Sequence, residues 1–378
     1  MENSVHYHNV KSYHSVFNDK FEVSLYLAVD EDKKLIKLDC PEILNKKKFK
    51  VINAWSHKIF FLKSIFLNKF DYYFISYGLE QTKFYFIFNY IFYLIFALIN
   101  NKKIIFRIGR SNIFFNNKEL KKLPFKDFKK NNNTTLFSNF FETLFRYIRI
   151  YSVKKSGIVS FENFTLKKIF QKYTSFPCKH IVIKPTPKKI INLKKYKYKS
   201  SLILGLHGAI DSRRRNYDYL IKELNKLDKQ ITKKITIKFL GASNIISKKT
   251  LKNKRSFSEE NIISKMRDTG VKVIAKNKGF FKRKEYEKFI NDVDFLIDIQ
   301  INDGHFYIKP TGLITDAQNF SKRILMRKSN DPFKEYKRMA VYYNQISSSL
   351  KKIIYKKSYF KKDQFNTLND YEINKISN

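Results

Sequence analysis

SLILGLHGAIDSRRRNYDYLIKELNKL, residues 201–227, changes its periodicity halfway along. Residues 201–208 form a nearly continuous apolar run closed by Gly205 and Gly208, the pattern of a strand covered on both faces. From Asn216 onward Tyr217, Leu220 and Ile221 fall at helical intervals. A strand that passes through a short glycine turn into a helix is half of a βαβ unit. Between the two halves stand three consecutive arginines, Arg213, Arg214 and Arg215.

The same alternation continues toward the C-terminus. ITIKFLGA (235–242), VKVIA (271–275), DFLIDIQ (294–300) and KRILMRK (322–328) read as further strands, five in all. Helices are expected over 216–227, 258–269, 282–293 and 313–320, with Gly270 ending the second of these and 334–355 closing the domain. The N-terminal half alternates too. FEVSLYLAV (21–29), VINAW (51–55), FDYYFISYG (70–78), KKIIFRIG (102–109) and GIVSF (157–161) are strand-like. Leu136, Phe140, Leu144, Tyr147 and Tyr151 recur at helical spacing, and ENFTLKKIFQKY (162–173) is a second helix. IVIKP (181–185) then gives way to two prolines and a dense lysine series. The expected architecture is α/β, two Rossmann-like domains in tandem. The first spans 1–185, a linker 186–200, the second 201–330, and a helix and tail 331–378.

Composition bounds the partners. At 378 residues the chain exceeds one ordinary core, and 43% hydrophobic residues can fill two. A formal charge of +43 points toward nucleic acid or an anionic membrane surface. Lysine, asparagine, isoleucine and phenylalanine are abundant together, however, as an A/T-biased coding sequence would make them, and the lysines are spread along the chain instead of forming one stripe. Cys40 and Cys178 are too few for a disulfide framework or a zinc site, which fits a reducing, cytoplasmic setting. The first residues hold no apolar run of signal-peptide length, so no cleaved leader is expected, and His6, His8 and His14 read as a polar terminus. FYFIFNYIFYLIFALI (84–99) is free of charge but shorter than the ~20 residues of a spanning helix. It reads as a buried helix, with a membrane-facing helix as the first alternative and a true span as the last.

In open parallel sheets ligands bind beyond the carboxyl ends of the strands, where helix N-termini favour anions. Two segments stand there. In the first, the glycines permit a tight turn, and the arginines precede a helix start whose dipole they oppose, so they gain nothing structurally. They read either as a solvated loop paired with Asp211 or Asp218, or as a diphosphate site using one or two of Arg213, Arg214 and Arg215. The second is INDGHFYIKPTGLITDAQ (301–318). Lys309 offers a point charge, Thr311, Gly312 and Leu313 open a helix whose first N–H groups can bind phosphate oxygens, and Asp316 can accept ribose hydroxyl protons. Taken alone, the same residues make an ordinary helix start.

The tandem α/β layout, the arginine-bearing turn GAIDSRRRNYD (208–218) and KPTGLITDA (309–317) together resemble the GT-B glycosyltransferases, especially the family 4 type. The resemblance is strongest over 201–330 and implies two Rossmann-like domains facing across a cleft. It also implies a nucleotide-diphosphate-sugar donor held mainly by the second domain, and no cofactor besides that donor. By it, an arginine of 213–215 meets the diphosphate, the amides of 311–313 meet phosphate or sugar, and Asp316 holds ribose. The family often carries two glutamates here. This chain has Asp316 in place of the second and only His305 or Lys309 near the first.

In the first domain His57, Arg107, Arg110 and Glu162 are candidates for the cleft, each with an ordinary structural role as the alternative. Arg214 and Arg215 are expected to carry most of the catalysis by stabilising the departing nucleotide diphosphate. Metal is not expected, since Asp30-Glu31-Asp32 has the spacing but lies in a hydrophilic turn. The implied reaction is sugar transfer to a glycan, polysaccharide or lipid-linked acceptor, at the cytoplasmic face of a membrane. The alternative is a basic nucleic-acid-binding or membrane-surface protein without catalysis. No helix-turn-helix, zinc-finger or RNA-recognition signature supports a specific nucleic acid.

Overall fold

The computed structural model describes residues 17, 25–27, 49–51, 71–75, 95, 104–108, 114, 136–173, 179–183, 190–198, 200–208, 210, 215–241, 256–276, 281, 283–300, 312–355 and 359–366. The chain divides into two compact units. One comprises 1–188 with 307–310 and 368–378, the other 189–306 with 311–367. Both are α/β with parallel main sheets, as the alternating pattern requires.

In the first unit β1 (Leu25–Leu27) and β2 (Phe49–Val51) form a parallel pair. β3 (Tyr73–Ile75), β4 (Ile104–Ile108), β5 (Ile158–Phe161) and β6 (Lys179–Val182) form a four-stranded sheet in chain order, parallel throughout. Every residue of β4 and β5 is buried, which is why both read as continuous apolar runs. Helix α1 (Leu136–Ser156) packs on β4 and β5, and α2 (Phe164–Tyr173) on β5 and β6. Asn163 caps α2 by accepting from the Leu166 N–H at 2.7 Å.

The second unit begins with β7 (Ile190–Leu193) and β8 (Tyr196–Lys197). Its main sheet holds β9 (Leu202–Leu206), β10 (Ile235–Phe239), β11 (Lys272–Ile274), β12 (Phe295–Ile297), β13 (Arg323–Arg327) and β14 (Ala340–Tyr343). They lie side by side as β11-β10-β9-β12-β13-β14, all parallel, which counted from β9 is the 3-2-1-4-5-6 order of doubly wound nucleotide-binding sheets. The helices are α3 (Tyr217–Leu224), α4 (Lys229–Thr232), α5 (Ser256–Asp268), α6 (Arg283–Asn291), α7 (Gly312–Asn319) and α8 (Ile346–Tyr355). Two final strands, β15 (Tyr359–Phe360) and β16 (Asp363–Asn366), pair antiparallel with β8 and β7.

Side-chain alternation splits the core of this unit in two. Leu202, Leu204 and Leu206 of β9 pack with Leu220 and Leu224 of α3, Met266 of α5 and Leu350 of α8. On the opposite face Leu296, Ile324 and Met326 pack with Ile290 of α6 and with Leu313 and Ala317 of α7. Gly205 lies between them where a Cβ would sit 2.8 Å from Leu240 Cδ1 and 3.0 Å from both Leu296 Cδ2 and Val293 Cγ1. The glycine thus serves close packing within the sheet, and the turn beyond the strand falls to Gly208.

Two sequence expectations differ from this structure. Residues 334–355 are not one helix, because turns over 334–339 lead into strand β14 and only then into α8. Tyr336, Met339, Tyr343, Ile346 and Leu350 are all buried at intervals of three and four, so a turn that packs on one face of the sheet and a strand and helix that pack on the other imitate a single helical stripe. The lysine-rich stretch 186–200 contains β7 and β8. Ile191 and Leu193 are buried while Ile190 and Asn192 are exposed, the period-two pattern of a half-covered antiparallel strand. The segment 84–99 lies outside the described residues apart from Ile95, which is helical and exposed.

Substituting Gly205→Ala forces a methyl against three packed aliphatic groups at once. It is expected to destabilise the second unit by about 1–3 kcal/mol, measured as a lowered midpoint in thermal or urea unfolding.

Candidate functional site

The strand order places the topological switch point between β9 and β12, whose chain continuations leave to opposite sides. His207 follows β9 directly, and Gly208 turns the backbone with φ +79, a left-handed conformation suited to glycine. The Arg215 guanidinium lies over this glycine, in the space that a Cβ at 208 would need. Arg215 also bridges to Gln300 in the segment after β12, and the Asn216 N–H donates to the Ile299 carbonyl at 2.7 Å. The Asn216 side chain then caps α3, accepting from the Tyr219 N–H at 2.9 Å. The turn after β9 is therefore stitched to the end of β12.

Helix α7 enters the same place. Gly312, its first residue, stands so close to His207 that a Cβ there would meet the imidazole Cε1 at 2.8 Å. His207 Nε2 is 2.8 Å from Asp316 Oδ2, and the Tyr286 hydroxyl of α6 donates to that same oxygen. Burial and the Asp316 carboxylate both push the Tyr286 phenol well above its ordinary range, so Tyr286 stays a proton donor. The first N–H groups of an α-helix have no acceptor within it, and those of α7 begin beside His207.

Beneath these groups is a carboxylate that the sequence reading passed over. Asp298 follows β12, is 1% exposed, and accepts from Asn330 Nδ2 at 2.5 Å and from the Gln300 N–H at 3.2 Å. Burial pushes its carboxyl up to about 6, against the opposing pull of those hydrogen bonds and of the Arg327 and Arg215 charges. Arg327, at the end of β13, lies over the Tyr219 ring at 5.1 Å. Tyr343 of β14 donates to the Asp298 carbonyl. The carboxyl ends of β9, β12, β13 and β14 thus share one cluster of two guanidiniums around a buried acid. The available signal was the second acid of DFLIDIQ, Asp298, set inside an apolar strand run where an unpaired charge would be costly.

Of the residues singled out in the sequence, Arg215, Gly312 and Asp316 meet at this end of the sheet. Leu313 buries its side chain in the core, so only its backbone can face a ligand. Asp316 turns Oδ2 to His207 and Tyr286. Arg213, Arg214, Lys309, Thr311, His57, Arg110 and His305 lie outside the described residues, as do Asp30 and Asp32. In the first unit Glu162 is buried against the guanidinium of Arg107, itself 2% exposed, so the two candidates are each other's ion-pair partners at the ends of β4 and β5. Among the described residues no group of three or more His, Cys, Asp or Glu could hold a metal ion.

No family model and no curated protein matches this chain. Solved structures do. The N-terminal domain of Candida albicans trehalose-6-phosphate phosphatase is 10% identical over 92% of this chain and 85% of its own, with a TM-score of 0.49. An alpha,alpha-trehalose-phosphate synthase (UDP-forming) from Burkholderia vietnamiensis is 6% identical over 81% and 79%, at 0.41. MnaA from S. aureus in a co-structure with UDP is 10% identical over 93% and 83%, at 0.41. At such identities no residue role passes from them to this chain.

Asp298 supplies a pH test. Its raised pKa means that the folded state holds the proton more firmly than the unfolded chain. Its contribution to stability is therefore full at low pH and lost as pH rises through about 6. Asp298→Asn is expected to gain stability relative to the parent between pH 5 and pH 8, by about 1.4 kcal/mol, visible in melting curves across that range. A difference independent of pH would contradict the assignment.

Proposed function

We propose that the second unit binds a nucleotide-diphosphate sugar at the β9–β12 switch point, and that the chain is a glycosyltransferase. It would move the sugar from that donor to a glycan, polysaccharide or lipid-linked acceptor. One observation carries the reading: the arginine-bearing turn after β9 and the first turn of α7 converge on one point, through His207 and Asp316, at the carboxyl end of a 3-2-1-4-5-6 sheet.

A diphosphate fits the chemistry of that point. Arg215 offers a planar fork for phosphate oxygens, and the start of α7 offers N–H groups with the positive end of a helix dipole. Transfer breaks the bond between the anomeric carbon and the phosphate oxygen, leaving charge on the departing nucleotide diphosphate. Fixed cations and N–H donors that strengthen their hold on that charge lower the barrier. Asp298 sets the other side of the balance, since its buried carboxyl lies within the electrostatic reach of Arg215 and Arg327. The acceptor hydroxyl would be oriented by residues of the first unit.

Titration calorimetry with UDP, GDP and ADP, and with their glucose conjugates, tests this. One nucleotide diphosphate is expected to bind in the micromolar range, and Arg215→Ala to weaken it about ten-fold or more, the loss of a charge-assisted contact. Equal binding by the Arg215→Ala variant would remove the arginine from the site. Binding of single-stranded polynucleotide that falls steeply with salt, with no response to any nucleotide diphosphate, would favour the nucleic-acid alternative instead.

A further inference from the structure

Helix α1 carries its apolar stripe on the wrong side for a core. Ser152 and Val153, both fully buried, face the sheet of the first unit, where α1 packs on β4 and β5. At 100° per residue, Leu144, Tyr147 and Tyr151 lie together on roughly the opposite side. They are 36%, 59% and 44% exposed. In a globular protein the i, i+3, i+7 stripe is the one that turns inward, so a stripe of this kind turned to solvent marks a contact surface.

The charges beside the stripe choose among partners. The Arg146 guanidinium lies 5.3 Å over the Tyr147 ring, and the Lys155 ammonium 5.6 Å over the Tyr151 ring. Lys154 and Lys155 are exposed in the last turn, and Glu142 is the sole acid in the helix sequence. Such a surface suits an anionic partner. Nucleic acid would stack bases on the tyrosine faces, but cations already cover a face of each ring, and Leu144 offers a base or a phosphate nothing. A lipid interface accommodates all of them. Tyrosine places an apolar ring below the headgroups and its hydroxyl among them, leucine enters the acyl boundary, and lysine and arginine reach lipid phosphates. No described helix is long and apolar enough to cross a membrane.

We propose that the Leu144, Tyr147 and Tyr151 face of α1, with Arg146, Lys154 and Lys155 around it, docks the first unit on a bilayer rich in anionic headgroups. This surface is independent of the donor reading, since neither its residues nor its ligand are those of the β9–β12 point.

Co-sedimentation of the full chain with vesicles is the test. Vesicles of phosphatidylcholine alone are compared with an equal mixture of phosphatidylcholine and phosphatidylglycerol. The chain is expected to pellet with the mixture and not with the neutral lipid, less so at high salt. The triple variant Leu144→Gln, Tyr147→Gln, Tyr151→Gln, which keeps the charge and the helix propensity, is expected to bind the mixture at least about ten-fold more weakly. Circular dichroism reports whether that variant is folded. Tyr147→Trp gives a second readout that does not depend on the triple variant: its added emission should shift to the blue on mixing with anionic vesicles. Undiminished binding by the triple variant would assign membrane affinity to the diffuse charge of the chain and overturn the proposal. So would unshifted Tyr147→Trp emission, or a parent that self-associates through this face and a triple variant that does not.

Discussion

The close approach of His207 to the first turn of α7 is the constraint on which the second unit turns. Strands β9 and β12 are neighbours, yet the turn after one leads to α3 and the segment after the other leads to α7, on opposite faces of the sheet. Two such departures leave a crevice, and here the crevice is closed at one point. Glycine at 312 admits the imidazole, and Asp316 one turn further on holds its Nε2. A side chain at 312 would displace the imidazole or the start of α7, and either shift would disturb the contact with Asp316. Arg215, tied to Gln300 and lying over Gly208, occupies the adjoining edge of the same crevice. Sheet topology, two glycines and one His–Asp contact therefore bring a guanidinium and a helix start together, although about a hundred residues separate them in sequence.

Much of the fold could be read from the residues because parallel strands covered on both faces leave an unambiguous mark. IIFRI, IVSF, LILGL, ITIKF and RILMR are all strands where continuous apolar runs stand. Strand order could not be read, since the adjacency of β9 and β12 depends on which helix covers which face. The elements misread share a cause. β14 sits in a segment whose buried positions fall at helical intervals by coincidence, and β7 hides in a lysine series because only its alternate residues are buried. In the site, the arginine turn and the Thr-Gly helix start announce themselves by residue type. Asp298, Asn330 and Arg327 do not, because each is ordinary until the ends of β12 and β13 bring them side by side.

The charge of the cluster is better balanced than the composition suggests. The chain as a whole carries +43, but at the carboxyl end of this sheet Arg215 and Arg327 face a buried acid that is close to its own titration at neutral pH. Burial disfavours the charged carboxylate, and the two guanidiniums with the Asn330 amide favour it. The two charges of the buried Arg107–Glu162 pair in the first unit neutralise one another at adjacent strand ends.

The most direct measurement is a crystal structure of the chain with a bound nucleotide diphosphate. The diphosphate is predicted to lie between the Arg215 guanidinium and the first N–H groups of α7, above His207, with the ribose toward Asp316. A diphosphate bound elsewhere, with Arg215 and the start of α7 unchanged and in contact with water alone, would contradict the central claim.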